Sequence, residues 1–223
     1  MYDRIIKLIG DNNFNKINTK KILLVGVGGV GGFVFETLIR SGFNNITIID
    51  YDIVEESNIN RQLVANLNTI GLKKVNVLHD YAKLINKDLN IIAIDKKLTS
   101  DNINILDTDY DYIIDACDSI DAKLELVKYA INNNIKIICS MGMGNRIDAT
   151  CVKISTLDKT INDPLARNFR KLIKDNKIQL NIPVVYSDEL PIKNSGVNSI
   201  ITPPSVAGIY LVNYIINDII KLY

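Results

Sequence analysis

Residues 21–32 run Lys-Ile-Leu-Leu-Val-Gly-Val-Gly-Gly-Val-Gly-Gly, an apolar strand passing directly into a glycine loop that opens a helix. The join needs glycine for distinct reasons. Gly26 makes the tight turn, Gly28 with its neighbour Gly29 lets an anion reach main-chain N–H groups, and Gly31 lets helix pack on strand. The helix N-terminus then faces that anion. A helical run from Phe33 to Ser41 and a second strand from Ile46 to Asp50 complete a βαβ opening. That strand ends in Asp50-Tyr51-Asp52, about two dozen residues past the first glycine, where an acid is expected to hydrogen-bond a ribose hydroxyl.

The pattern then alternates. Helices are expected near Val75–Asn86, Ser100–Leu106 and Ala122–Asn132, and strands at Asn90–Asp95, Tyr112–Asp115 and Ile135–Cys139. Such alternation predicts an α/β fold: a Rossmann-like, doubly wound, mostly parallel sheet with helices on both faces. The carboxyl ends of its strands should bring Gly26, Asp50, Asp118 and Met141 to one crevice. Beyond Gly144 the pattern changes to Ala149–Ser155, a helix from Pro164, Ile182–Ser187, a Gly/Ser/Pro-rich stretch from Asn194 to Ser205 and an apolar segment from Val206 to Tyr223. These read as added antiparallel strands, loops and a docked terminal helix. With 223 residues, 47% of them hydrophobic, the chain is expected to form one domain. Residues 1–20 would be a helical arm, 21–140 the nucleotide-binding core and 141–223 the substrate side.

Charge is balanced, 26 Lys and Arg against 25 Asp and Glu, so any surface for a polyanion must be local. Cys117, Cys139 and Cys151 are too widely spaced for a C-x-x-C metal or redox pair. An odd, sparse set suits a reducing compartment, and no leader or membrane span is read, so the expected location is cytoplasmic. All three cysteines are read as buried small hydrophobes on strands or strand ends, and His79 as a structural residue of a helix.

The residues beyond the acidic pair narrow the chemistry. Ser57-Asn58-Ile59-Asn60-Arg61-Gln62, then Lys73-Lys74, then Asp115-Ala116-Cys117-Asp118 surround the phosphates with Arg, Lys and a carboxylate. Hydride transfer has no use for this set. Attack on an α-phosphorus does, because charge grows on departing pyrophosphate and must be met by cations and a metal held by a carboxylate.

These residues resemble the ThiF/MoeB branch of the ubiquitin-activating-enzyme superfamily. The resemblance implies that fold, ATP and Mg²⁺ as cofactors, and adenylation of a carboxylate. It implies Gly26, Gly28, Gly29 and Gly31 at the phosphate loop, Asp50 and Asp52 at the ribose, Asn58, Arg61 and Lys74 at the phosphates, and Asp118 on magnesium. Arg4, within Tyr-Asp-Arg, matches an arginine donated across a homodimer to the partner's ATP. Asp158 to Ala166, Tyr186-Ser187 with Glu189 and Pro191, and Asn198-Ser199 with Pro204 to Gly208 narrow the likeness to the tRNA threonylcarbamoyladenosine dehydratases. The narrower likeness implies activation of the threonyl carboxylate of the modified adenosine beside the tRNA anticodon, then cyclisation with loss of water. A monovalent cation and a desulfurase-system protein are candidate additions. The alternative is an adenylyltransferase for the C-terminus of a ubiquitin-like sulfur carrier, which the missing C-x-x-C pairs weaken.

Asp163-Pro164 reads as an N-cap and first helical position. On the helix opened by this pair, Leu165, Phe169 and Leu172 are expected to face inward, with Arg167, Arg170, Lys171 and Lys174 opposite them as a candidate tRNA-binding stripe. A solvated charged face is the competing reading. Asp118 is itself a candidate N-cap.

Overall fold

The strand ahead of the glycine loop forms as β1 (Lys21–Val25), and only its first residue is exposed. The structure is a computed structural model that describes residues 1–193 and 195–221. Ile22 and Leu24 of β1 enter the core on one face of the sheet, Leu23 and Val25 the core on the other. Burial on both faces is why the run is continuously apolar. β2 (Asn45–Asp50) and β3 (Asn90–Asp95) extend the sheet in parallel on one side, β4 (Tyr112–Asp115) and β5 (Lys136–Ser140) on the other. Beyond them β6 (Val152–Thr156) pairs antiparallel with β7 (Pro183–Ser187), which itself runs parallel to β5. The order β3-β2-β1-β4-β5-β7-β6 reverses direction between β1 and β4, where such sheets open a crevice.

Helices cover both faces. α3 (Gly31–Arg40), α4 (Lys74–Ile85) and the terminal α7 (Thr202–Ile220) bury their apolar sides with Ile22, Leu24 and Ile114. α5 (Ile120–Asn132) packs on the other face, and α6 (Pro164–Asp175) joins it through a cluster centred on Phe169, Ile173 and Val184. The arm is two short helices, α1 (Asp3–Ile9) and α2 (Asp11–Asn18); α1 buries no residue.

Three local expectations need correction. Residues Ser100–Ile105 form a 3₁₀ helix rather than an α-helix, opened by a Thr99/Asn102 capping box; the Asn102 side chain accepts from Thr99 N and donates to Lys97 O, local bonds that compete with α-helix. Cys151 lies in the 3₁₀ turn Ala149–Cys151, capped by Asp148, just before β6. The terminal helix begins at Thr202, since Pro203 and Pro204 fall in its first turn, where no N–H partner is required. Tyr223, its expected end, and Asn194 lie outside the described residues. No helix among the described residues is long and apolar enough to cross a membrane.

Candidate functional site

The carboxyl ends of β1, β2, β4 and β5 open into one cleft of about 810 Å³, whose lining includes Gly26, Asp50, Asp118 and Met141. The glycines divide their work as the spacing predicts. Gly26 has φ +85°, and a Cβ there would stand 2.8 Å from the Ala116 backbone; at Gly31 it would stand 1.9 Å from the Gly26 carbonyl oxygen. Gly31 is therefore packed behind the cleft rather than on its lining. Around Gly28 and Gly29 no protein atom lies within 3.5 Å of the corresponding position, so the loop is open toward the cleft.

One wall is the segment from Asp50 to Lys74. Asp50 is buried, and its carboxylate accepts from Val27 N at 2.7 Å and Asp52 N at 2.9 Å, fixing the glycine loop to the end of β2. Lys74 opens α4 with its ammonium 2.8 Å from Asp52. Its backbone N also donates to Asp52 O, at 3.1 Å. Asn58 lines the cleft while its carboxamide oxygen accepts from Glu55 N in a capping box. The Arg61 guanidinium is steadied by Ser57 O at 2.8 Å and Asn60 Oδ1 at 2.9 Å, leaving further N–H groups for a ligand. Lys96 and Lys97 join the lining, with the Lys97 ammonium 5.3 Å from the Tyr51 ring centroid. The Tyr51 hydroxyl is pushed above its ordinary value, first by Asp52, then by burial and Asp118, which records how acids gather at this end.

Opposite the wall, Asp118 is exposed on the lining and makes no hydrogen bond among the described residues. The N-cap of α5 is Ser119, whose side chain accepts from Ala122 N, so the capping expected of Asp118 is done by its neighbour. A free carboxylate beside an open phosphate loop suits Mg²⁺, which keeps water and takes one or two carboxylates plus substrate phosphates. Among the described residues no three His, Cys, Asp or Glu converge on a protein-only metal cage. Asp118 therefore fits a metal that arrives with the nucleotide.

The floor was not foreseen. Lys123 and Asp115 form a fully buried ion pair at 2.9 Å, and the same ammonium donates to Ser140 O at 2.8 Å. Burial alone would lower the Lys123 pKa, but Asp115 outweighs it and holds the ammonium above its usual range. The ends of β4 and β5 are thus tied beneath Asp118. Beside them Arg146, also buried, donates to Gly142 O at 2.6 Å and Asn162 O at 3.1 Å. Asp163 caps α6 through Ala166 N and takes Gly142 N as well, at 3.0 Å. This shapes the Met141–Gly144 rim. An acid ending an apolar strand and a lysine inside an apolar helix pattern were the available signals.

The remaining candidates fall elsewhere. Arg4 is exposed on α1 and is not on the lining of its own chain's cleft. On α6 the inward residues are Ala166, Phe169 and Ile173, with Leu165 and Leu172 only half-buried, so the core face is rotated from the expected one. That rotation draws Arg170 inward, where it donates to Thr160 O at 2.9 Å and to the Thr160 hydroxyl. Arg167, Lys171 and Lys174 remain exposed as a stripe. Cys117 lines the cleft two residues past β4, its thiol 2.9 Å from Asp115. Burial and then the Asp115 charge push it well above the usual thiol pKa, so it stays protonated; burial does the same to Cys139. His79 is half-buried beside Asp80, off the cleft lining.

Residues 2–195 match the model of the ThiF family. The chain is 33% identical to the tRNA threonylcarbamoyladenosine dehydratase of Bacillus subtilis, over 96% of this chain and 92% of that protein. The Escherichia coli enzyme TcdA, solved in complex with ATP, superposes with TM-score 0.94 at 30% identity, covering 99% of this chain and 93% of that one. The yeast adenylyltransferase and sulfurtransferase UBA4 is 28% identical over 64% of this chain and 32% of its own length.

Proposed function

The chain belongs to the ThiF family, and from that premise we propose that it is an ATP-dependent, adenylate-forming tRNA threonylcarbamoyladenosine dehydratase. What carries the reading is a single cleft lined by Gly28, Asp50, Asn58, Arg61, Lys74 and Asp118, in a chain similar along nearly its whole length to a dehydratase solved with ATP. The sulfur-carrier adenylyltransferase is disfavoured, since that likeness covers less of the chain and no C-x-x-C pair is present.

ATP lies with its ribose toward Asp50 and Asp52 and its phosphates over Gly28 and Gly29. The threonyl carboxylate attacks the α-phosphorus, and pyrophosphate departs with the electron pair of the broken P–O bond. Arg61 and Lys74 meet the charge that grows on it, and Asn58 orients the phosphates. Asp118 would hold Mg²⁺, which when bound would offset phosphate charge. A nitrogen or oxygen of the same substituent then attacks the acyl carbonyl, AMP leaves, and a proton is released. Held in place, such a step reaches effective concentrations on the order of 10⁵ M, so no protein nucleophile is required. The protonated Cys117 thiol agrees with that.

Arg4 reaches the cleft of a second copy in a homodimer, and Arg167, Lys171 and Lys174 contact tRNA phosphates; Arg170 is left out because it holds the Thr160 turn. A monovalent cation and a desulfurase-system protein rest on the family resemblance alone. The test is to incubate the protein with ATP, Mg²⁺ and tRNA carrying threonylcarbamoyladenosine and weigh the nucleosides. A product lighter by one water is expected, and none from a natively folded Asp118→Ala variant. Full activity in that variant would overturn the adenylation assignment.

A further inference from the structure

The rim after β5 carries backbone donors without partners. Met143 is 6% exposed and lines the cleft, yet neither its N–H nor that of Gly144 makes a hydrogen bond among the described residues. Buried backbone N–H groups are nearly always paired, so a partner from outside the chain is expected here. What lies behind the rim fixes the direction of the first donor. The Gly142 carbonyl accepts from Arg146 Nη1 at 2.6 Å, and Gly142 N donates to Asp163 Oδ2 at 3.0 Å. The peptide joining Gly142 to Met143 is trans, so its N–H leaves on the side opposite its carbonyl. With that carbonyl turned to Arg146, which is 3% exposed, the Met143 N–H is turned away from the buried guanidinium. A cation on the carbonyl oxygen also polarises the peptide and makes its N–H a stronger donor. Arg146 is itself held by Asn162 O at 3.1 Å and Ser187 O at 3.4 Å, so the peptide is set before any ligand arrives.

A fixed backbone N–H suits an oxygen that carries or gains negative charge. The phosphates lie over the glycine loop after β1, and the other anion that the proposed reaction brings to the cleft is the threonyl carboxylate. We propose that the Met143 N–H donates to one oxygen of this carboxyl group, and that Arg146 is the positioning residue behind it. The proposal rests on the dehydratase reading of the cleft. On adenylation the other carboxylate oxygen bonds to phosphorus, and the oxygen at Met143 becomes the acyl carbonyl and loses charge. On ring closure the attacking nitrogen or oxygen forms the new bond with its lone pair, and the carbonyl π pair moves onto the oxygen at Met143. The carbonyl then re-forms, AMP leaves with the electron pair of its bond to carbon, and the proton of the attacking atom goes to solvent. Charge at Met143 grows only in this second step, so only there does the donor lower the barrier.

Exchange of the Met143 N–H for an ester oxygen, by building the α-hydroxy analogue of methionine into the full chain, removes the donor and keeps the side chain. Pyrophosphate release and loss of water from the modified adenosine are then timed separately, with ATP, Mg²⁺ and tRNA carrying threonylcarbamoyladenosine. In the ester protein the first turnover of pyrophosphate should stay near the wild-type rate, while ring closure should slow about 10²–10³-fold, the loss typical of one such donor. Acyl-adenylate should therefore accumulate, and ATP affinity should not change. Arg146→Met should move the ratio of the two rates in the same direction, and Arg146→Lys should recover part of it, a split that lost stability alone does not produce. Unchanged ring closure in the ester protein, or equal slowing of both steps, would overturn the donor while leaving the dehydratase reading intact. A wild-type protein that removed no water from this tRNA would instead overturn that reading, and this contact with it.

Discussion

Two lysine–aspartate pairs of nearly equal length lie in different regions of the cleft. On the wall, Lys74 and Asp52 are 2.8 Å apart, with side chains 5% and 46% exposed; on the floor, Lys123 and Asp115 are 2.9 Å apart and both fully buried. The wall pair faces the cleft through a solvated carboxylate, so its lysine can give up part of that interaction to a phosphate at little cost. The floor pair has no solvent to fall back on. Its lysine is committed to Asp115 and Ser140 O, and its function is to hold two strand ends in register beneath Asp118. Chemistry alone does not distinguish a ligand-binding lysine from a structural one, but the exposure of its partner does.

The largest expected effect is on the floor. Lys123→Met leaves Asp115 charged and buried, which should cost about 3–5 kcal/mol and lower the melting temperature by roughly 6–20 °C. Joint replacement with Asp115→Leu should restore most of the loss, since an apolar pair of similar volume is often neutral or stabilising. Recovery absent from the double variant would mean that the bond to Ser140 O, not the ion pair, holds the floor. The sign with pH follows from the raised Lys123 pKa: the pair stabilises the fold fully below the ordinary lysine value, about 10.4, and the contribution is lost only as pH climbs through the folded value.

On the wall the balance inverts. Lys74→Ala should leave the melting curve nearly unchanged, within about 1 kcal/mol, and slow product formation about 10²–10³-fold. A large loss of stability would erase the contrast between the pairs. Whether the wall is completed by a second chain is tested by mixing Arg4→Ala with Asp118→Ala protein. In random dimers one site in four should have both groups, so about a quarter of the activity should return. No return after demonstrated subunit exchange would remove Arg4 from the site. The smallest effect should come from α6, beyond the wall. Charge reversal at Lys171 and Lys174 should lower the salt slope of tRNA affinity by about 0.7–0.9 per lost phosphate contact and leave ATP affinity unchanged. An unaltered slope would mark the stripe as a solvated face.

Much of the wall was legible in the chain because its residues are consecutive or follow strand ends. Gly26, Asp50, Asn58, Arg61 and Lys74 all fall within one βαβ unit and the loop after it, where spacing nearly fixes position. The sheet was legible for a similar reason: strands buried on both faces write themselves as unbroken apolar runs. The floor was not, since Lys123 and Asp115 meet only through the packing of α5 on β4, and a charged residue in a helix pattern reads by default as solvated. Arg170 failed for the opposite reason. Helical spacing put it on the polar side, but inward rotation of α6 about Phe169 brought it to Thr160.

The last part of the cleft comes from the end of the chain. Pro204 approaches Gly29, Ser199 O accepts from Asn60, and Gly208 crosses α3 so closely that a Cβ there would stand 2.7 Å from Val30 O. A growing chain therefore exposes its glycine loop long before the segment that covers it has been made. At ordinary ribosomal speeds that interval is roughly 10–30 s, during which Val34 and its neighbours await α7 and bound nucleotide cannot yet stabilise a finished site. The glycine loop that opens the cleft is thus made well before the residues that close it, so the two parts of one site are separated in time as well as in sequence.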